Sequence, residues 1–303
     1  MNTGGWVQDV LRAAVAPGFF SNGPVQTALV VGGGAAVVSA VVGVFTVIRG
    51  QSFAGHALAD VSSAGGALAF LIGVSPLTGF VAMALAGGAG MEAAGFRRAR
   101  GRDLATGAVL GAGLGLTALL LYLDATRTTR TGAAIAVMFG SMFAIPRTTA
   151  ALAAAVGAAA LLLVAAVYRP LLLSSLSADL AEARGVRVAA VGLLYTLALG
   201  LAVSLAALTV GAILSTALLV GPAAAALRVT RRTEAALVLA SAIGLCATWL
   251  GVLLAYDSYG WTPGHGWPVS FFVVTLIMAA YVALSLGHGR PAAGAAASPA
   301  GGA

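Results

Sequence analysis

Two ionisable residues stand four apart at the head of an apolar stretch: His56 and Asp60, in the segment Arg49-Gly50-Gln51-Ser52-Phe53-Ala54-Gly55-His56-Ala57-Leu58-Ala59-Asp60. On a helix, positions i and i+4 share a face, one turn apart. An imidazole and a carboxylate so placed have three uses. They can hydrogen-bond each other and pin the helix, relay a proton, or converge on one cation. A nitrogen–oxygen donor pair suits zinc, manganese or ferrous iron, and no cysteine lies nearby to make a copper(I) thiolate site. Within a bilayer the pair is expensive. An aspartate at the centre of a spanning helix costs roughly 2.5–3.5 kcal/mol on insertion scales, so it is expected to face the bundle interior or a wet cavity.

The surroundings of the pair are oily. The chain has 303 residues, 60% hydrophobic and 8% charged, against about 25% charged in a soluble domain. Apolar runs fall at 27–48, 54–73, 76–95, 104–123, 148–168, 188–209, 210–229, 235–255 and 268–287. Stretches of about 20 apolar residues match a hydrocarbon core of about 30 Å. The runs are continuous, whereas a transmembrane β-barrel alternates apolar and polar residues. The expected fold is therefore all-α, a polytopic helical membrane protein with about 8–9 transmembrane helices. A shorter run at 132–146 is expected to be re-entrant or packed inside the bundle.

Charge sets orientation and excludes some functions. The net charge is +7, and all 16 basic residues are arginines gathered in short loops. That pattern reads as membrane topology and gives no reason to expect nucleic acid. Arg49, the cluster Arg97–Arg98–Arg100–Arg102, the segment bearing Arg169, Arg184 and Arg187, and the cluster Arg228–Arg231–Arg232 are expected on the cytoplasmic side. The loop 257–270, with Tyr259, Trp261 and Trp267, is then expected outside, at the interface. A phosphate-binding loop GxxxxGK[ST] needs a lysine. A chain without one is not a P-loop ATPase, and any ATP that drives it is bound elsewhere. The one cysteine, Cys246, can form no internal disulfide and is expected to be a small buried hydrophobe.

Other titratable groups attract blander expectations. Glu92 is expected to pair with Arg97 or Arg98 at the interface. His265 reads as a loop residue, His288 as incidental, and Asp103 as structural or gating. Met83, Met91 and Met138 read as packing residues. Residues 1–24 are expected to include an interfacial amphipathic helix, residues 25–288 to form the transmembrane domain, and the Gly/Ala/Pro-rich tail 289–303 to be disordered. Gly107, Gly111 and Gly115 have the small-xxx-small spacing of a helix contact.

Residues 169–187 are too charged to span. Pro170 reads as the start of the piece and Ser177 as an N-cap. Asp179 and Glu182 fall in the early turns, Arg184 near the end, and Gly185 at the C′ position. The segment is a short surface helix or a helix that docks a cytoplasmic partner. Further on, Gly221-Pro222 interrupts the apolar run Val210–Arg232, as a passive kink or as a hinge.

Several of these pieces, in this order, resemble the permease subunit of the ABC importers for zinc, manganese and iron, a type II importer permease. The segment "VVSAVVGVFTVIRGQSFAGHALAD" resembles the family's first helix followed by its Arg-x-x-Ser-Phe-x-Gly-Asp-Ala-Leu-Ser-His element. "RDLATGAVLGAGLGL" (102–116), "VMFGSMFAI" (137–145), "SADLAEARGV" (177–186) and "VGAILSTALLVGPAAAA" (210–226) are similar to further family segments. The family has Asp where this chain has His56, and His where it has Asp60, so the two residue types are exchanged here. Ala64 stands where a family proline commonly precedes the glycine matched by Gly65.

The resemblance implies that His56 and Asp60 line the path of a divalent metal ion, which is cargo; no bound cofactor is implied. It implies that Ser177, Asp179, Glu182, Arg184 and Gly185 form the element coupled to a separate ATP-binding subunit; in such a moving permease Gly221 and Pro222 are expected to serve as the hinge. An extracytoplasmic metal-binding protein and a second permease subunit, identical or sister, would complete the assembly in the cell membrane. The chain itself would carry out no bond chemistry. The rival readings are a permease for a metal chelate or a cobalamin-type cargo, and a proton-coupled secondary transporter that uses His56 and Asp60 as a relay.

Overall fold

The computed structural model describes residues 18–93, 99–127, 132–261 and 266–287, without the side chains of 93 and 99–105. Most of the segment 1–24 and all of the tail 289–303 lie outside the described residues. Of the former, Phe19–Ser21 form a single 3-10 turn.

Among the described residues every regular element is helical: α1 (Gly23–Ile48), α2 (Ser52–Ile72), α3 (Pro76–Ala93), α4 (Ala99–Arg127), α5 (Ala133–Phe139), α6 (Arg147–Leu176), α7 (Ala178–Ala183), α8 (Val188–Val210), α9 (Ala212–Val229), α10 (Thr233–Asp257) and α11 (Val269–Gly287). In lipid no water is present to satisfy the backbone, so an apolar run must close its own hydrogen bonds as a helix. Local chemistry sets the ends. The Asn22 side chain accepts from the Val25 amide at the head of α1, with Pro24 in the first turn. Gly73 closes α2 at φ +76°.

Eight helices (α1, α2, α4, α6, α8, α9, α10 and α11) are long and apolar enough to cross a bilayer. The 18 residues of α3 rise about 27 Å. The seven residues of α5 cannot cross, as expected for the 132–146 segment.

Close contacts give the directions of the helices. Gly65 of α2 lies against Gly79 of α3, and Val61 against Gly87, so those helices are antiparallel. Gly113 of α4 lies against Val61 and Thr117 against Ser63, so α2 and α4 run parallel. Helices α1 and α10 are antiparallel, with Gly32 near Thr248 and Gly244 near Ala36. One end of the bundle gathers Arg49, Glu92, Ser174, Ser175, Glu182 and Val188 around a cavity of about 380 Å³. The opposite end gathers Asn22, Phe143, Tyr256 and Tyr259. The first end carries the arginine-bearing turns after α1 and around α7, so it is cytoplasmic. Arg147, which donates to Gln26 at 3.3 Å, lies at the other end.

Helices α1, α2 and α8 are buried round most of their circumference, whereas α4, α6 and α11 turn apolar faces outward. Leu114, Leu119, Leu162 and Leu286 are among the exposed side chains. In lipid such faces are unremarkable, because hydrocarbon is as apolar as they are. Cys246 is exposed for the same reason. It lies on a lipid-facing side of α10, beside exposed Trp249 and Leu250. The glycine stripe also differs from expectation. Gly107, Gly111 and Gly115 meet open space, while Gly113 makes the contact: a methyl there would stand 2.8 Å from the Val61 amide nitrogen.

Two glycines lock the non-spanning segment in place. Gly140, after α5, has φ 77° and ψ 169°. Gly211, the single residue between α8 and α9, has φ 88° and ψ 162°. This backbone region is open essentially to glycine alone. Each residue also packs on the other's backbone, so a side chain at either would strike main-chain atoms. Gly211 separates α8 from α9, and α9 continues as a helix through Gly221 and Pro222. Alanine at Gly140 or Gly211 should lower stability by about 1–3 kcal/mol each, seen as earlier thermal unfolding of the detergent-purified protein. Gly111→Ala, with free space at its Cβ, should unfold no earlier than the parent.

Candidate cation site and docking helix

His56 and Asp60 lie in the second and third turns of α2, on the expected shared face. The imidazole Nε2 is 3.8 Å from Asp60 Oδ2. That exceeds hydrogen-bond range, so the two groups do not bond each other. The separation is shorter than the ~4.2 Å that two ligand bonds of ~2.1 Å can span, so one cation can touch both atoms.

Their environments differ. The Asp60 side chain is 4% exposed and that of His56 is 37% exposed. Asp60 Oδ2 is buried without a hydrogen-bond partner. The hydroxyls of Ser63 and Thr117 approach the Asp60 backbone carbonyl at 2.7 and 3.4 Å, which leaves that oxygen unserved. His56 Nδ1 lies 2.8 Å from Thr216 Oγ1, in the second turn of α9. A histidine ring held at one nitrogen presents the other in a fixed direction, here toward Asp60. Thr216 follows Gly211 by one helical turn, so the break between α8 and α9 sits beside the site. The sequence reasoning passes over Thr216, since it lies 160 positions from His56 and a threonine in an apolar helix carries no signal of its own.

Among the described residues, no three of His, Cys, Asp and Glu come together. Glu92 is elsewhere, at the cytoplasmic cavity, where its carboxylate accepts from Thr196 Oγ1 at 3.0 Å. Arg97, Arg98, His265 and His288 lie outside the described residues, as does the side chain of Asp103.

The 177–186 segment folds as its capping residues suggest. Ser177 is the N-cap of α7 and accepts from the Leu180 amide at 3.2 Å. At the other end Gly185 has φ +76°, and its amide donates to the Glu182 carbonyl at 2.8 Å. The Val186 amide returns to the Ala181 carbonyl at 3.0 Å. Pro170 does not begin this piece; it lies inside α6, which continues to Leu176. Only Ala181 of α7 is buried. Asp179, Glu182 and Arg184 are exposed, together with Leu176 and Leu180. The helix thus offers a mixed apolar and charged surface at the cytoplasmic end. Gly221 meets Ile277 of α11, and Pro222 is buried near Gly244 of α10.

A multi-pass bundle of eight apolar helices with a short exposed helix at its cytoplasmic end fits a transporter's membrane subunit, and this chain is such a permease of the cell membrane. It belongs to the ABC 3 transport family, whose model matches residues 22–284. The manganese import system permease protein ScaB of Streptococcus parasanguinis is 28% identical over 232 residues, 77% of this chain and 81% of that protein. The manganese transport system membrane protein MntC of Halalkalibacterium halodurans is 30% identical over 227 residues, 73% of this chain and 75% of that one. Among solved structures, PsaBC from Streptococcus pneumoniae in complex with Fab aligns at a TM-score of 0.75 with 26% identity, covering 88% of this chain and 92% of that chain.

Loss of the cap at α7 should be measurable locally. Ser177→Ala should weaken the first turn by about 1 kcal/mol, read as roughly fivefold faster amide hydrogen exchange at Leu180, with the spanning helices unchanged.

Proposed function

We propose that the chain is the membrane permease of an ABC importer that takes a divalent transition metal into the cell, with manganese the foremost cargo. The observation that carries the reading is the pair His56–Asp60, with a buried carboxylate oxygen left without a partner. The names of the relatives ScaB and MntC favour manganese over zinc and iron. A nitrogen–oxygen pair accepts all three, so the residues themselves discriminate little.

On this reading the cation meets a half-exposed imidazole and a buried carboxylate from each of two permease subunits. Two ligands per subunit hold an ion without caging it, which transport requires, since an ion held tightly is not released. Thr216 keeps the imidazole directed at the ion. An extracytoplasmic metal-binding protein delivers the cargo at the end near Tyr259 and Trp267. A separate ATP-binding subunit docks on Ser177–Gly185 and drives a rigid-body change of the bundle between outward and inward access. Gly221 and Pro222 give α9 a point of bending during that change.

The test is uptake of radioactive manganese by cells that express the whole transporter. His56→Ala and Asp60→Ala should each reduce uptake to background while the permease still co-purifies with its ATPase. Thr216→Val should raise the half-saturating manganese concentration about 10–100-fold, and Thr216→Ser should restore it. Unchanged uptake in both alanine variants would refute the role of the pair. Uptake lost only together with assembly would assign the pair to structure.

A further inference from the structure

Helices α1 and α2 are joined by three residues, Arg49-Gly50-Gln51, and Gly50 turns the chain at φ +62°. An arginine at so tight a surface turn has a free choice of direction, and water is its cheapest partner. Here the side chain instead reaches across the bundle end. Its Nη1 donates to Ser174 Oγ at 3.2 Å and to Ser175 Oγ at 3.3 Å. Its Nε approaches Gln51 Oε1 at 3.4 Å. The guanidinium also lies over the ring of Tyr195 on α8, 5.2 Å from its centroid. Tyr195 is itself fully buried, and its hydroxyl lies 2.7 Å from Thr46 Oγ1, in the last turn of α1.

One planar group therefore touches two helices and the turn that leads into a third. Ser174 and Ser175 occupy the last turn of α6, just ahead of Ser177, the cap of α7. Gln51 is the residue before α2. Tyr195 belongs to α8, the helix that follows α7 in the chain. Between Arg49 and His56 there is one turn of backbone and then α2 itself, unbroken through Asp60. A helix moves as a rigid rod over so short a distance. The partners on α6 are hydroxyls, so that part of the tie is directional. The contacts border the cytoplasmic cavity of about 380 Å³ that separates α7 from the bundle.

We propose that Arg49 is a positioning residue that carries displacement of α7 to α2, so that the state of the ATPase sets the placement of His56 and Asp60. The inference rests on the proposed reading of α7 as the docking helix and of the pair as the cation seat. It adds the mechanical connection between them.

The experiment uses the whole complex of permease, ATPase and metal-binding protein, reconstituted in proteoliposomes with manganese. ATP hydrolysis and manganese uptake are followed in the same vesicles. Arg49→Ala should leave the amount of assembled complex unchanged and hydrolysis within about twofold. It should lower manganese transported per ATP about tenfold, inside the usual span of coupling between sites. The double variant Ser174→Ala/Ser175→Ala removes only the α6 end of the tie and should uncouple in the same direction. It decides the matter if Arg49→Ala fails to assemble. Hydrolysis and uptake that fall in proportion, or that both stay at parent values, would show a mere brace or no role and overturn the proposal. A parent complex that hydrolyses ATP but moves no manganese would instead refute the cargo reading, and with it this one.

Discussion

An aspartate oxygen sealed among apolar helices, with no hydrogen bond, is the constraint around which this bundle is organised. Such an oxygen is costly in lipid, and the fold keeps it out of lipid by surrounding α2 with four other helices. Helices α3, α4, α8 and α9 all pack on it. The approach of α4 is close because Gly113 sits directly against Val61 and the Asp60 carbonyl carbon. The approach of α3 is close because Gly65 and Gly79 press together. Small residues at these crossings substitute for a hydrophobic driving force that membrane helices lack. Shielding by close packing leaves an opening on the side of His56, whose side chain is 37% exposed and whose imidazole lies 3.8 Å from the Asp60 carboxylate.

That opening is bordered by irregular backbone. The end of α5 and the break at Gly211 meet there, and Thr216 lies one turn further on. Non-helical backbone at membrane depth is tolerated where protein buries it or where it lines a cavity. The two glycines permit the arrangement because each adopts a conformation closed to other residues, and each makes room for the other's main chain. Broken helices beside polar side chains are how many transporters form substrate sites. Here the broken element and the helix of the pair are joined by the hydrogen bond between His56 and Thr216, so a movement of either is felt by the other.

Much of this was open to reading from the residues. Apolar runs longer than a bilayer is thick can only be helices. The short helix at 178–183 is announced by Ser177 and Gly185, because capping is local chemistry within a few positions. The common face of His56 and Asp60 follows from helical spacing alone. What escapes the sequence is contact across the bundle. The bond from His56 to Thr216 spans 160 positions, and that from Thr46 to Tyr195 spans 149. The periodic glycines 107, 111 and 115 advertise a contact that belongs to Gly113, since spacing alone does not tell which face of α4 meets α2. Pro170 reads as a helix start, yet α6 runs through it; a proline in a membrane helix can be accommodated when neighbours satisfy the freed carbonyl. Cys246 reads as buried because the rule that hides small apolar residues assumes water outside.

The absence of lysine bears on how the work is divided. A chain with no phosphate-binding lysine and two candidate ligands per copy supplies neither the energy nor a full coordination shell. On the proposed reading both come from contacts with other chains, one set at the cytoplasmic end and one across a subunit boundary. On the proposed reading, energy that arrives at α7 crosses a bundle made almost wholly of apolar side chains that slide. A directional bond is needed where sliding would dissipate the movement, and the arginine in the turn before α2 reaches the end of α6. The proposed coupling therefore follows from the same scarcity of polar groups that makes the chain soluble in lipid.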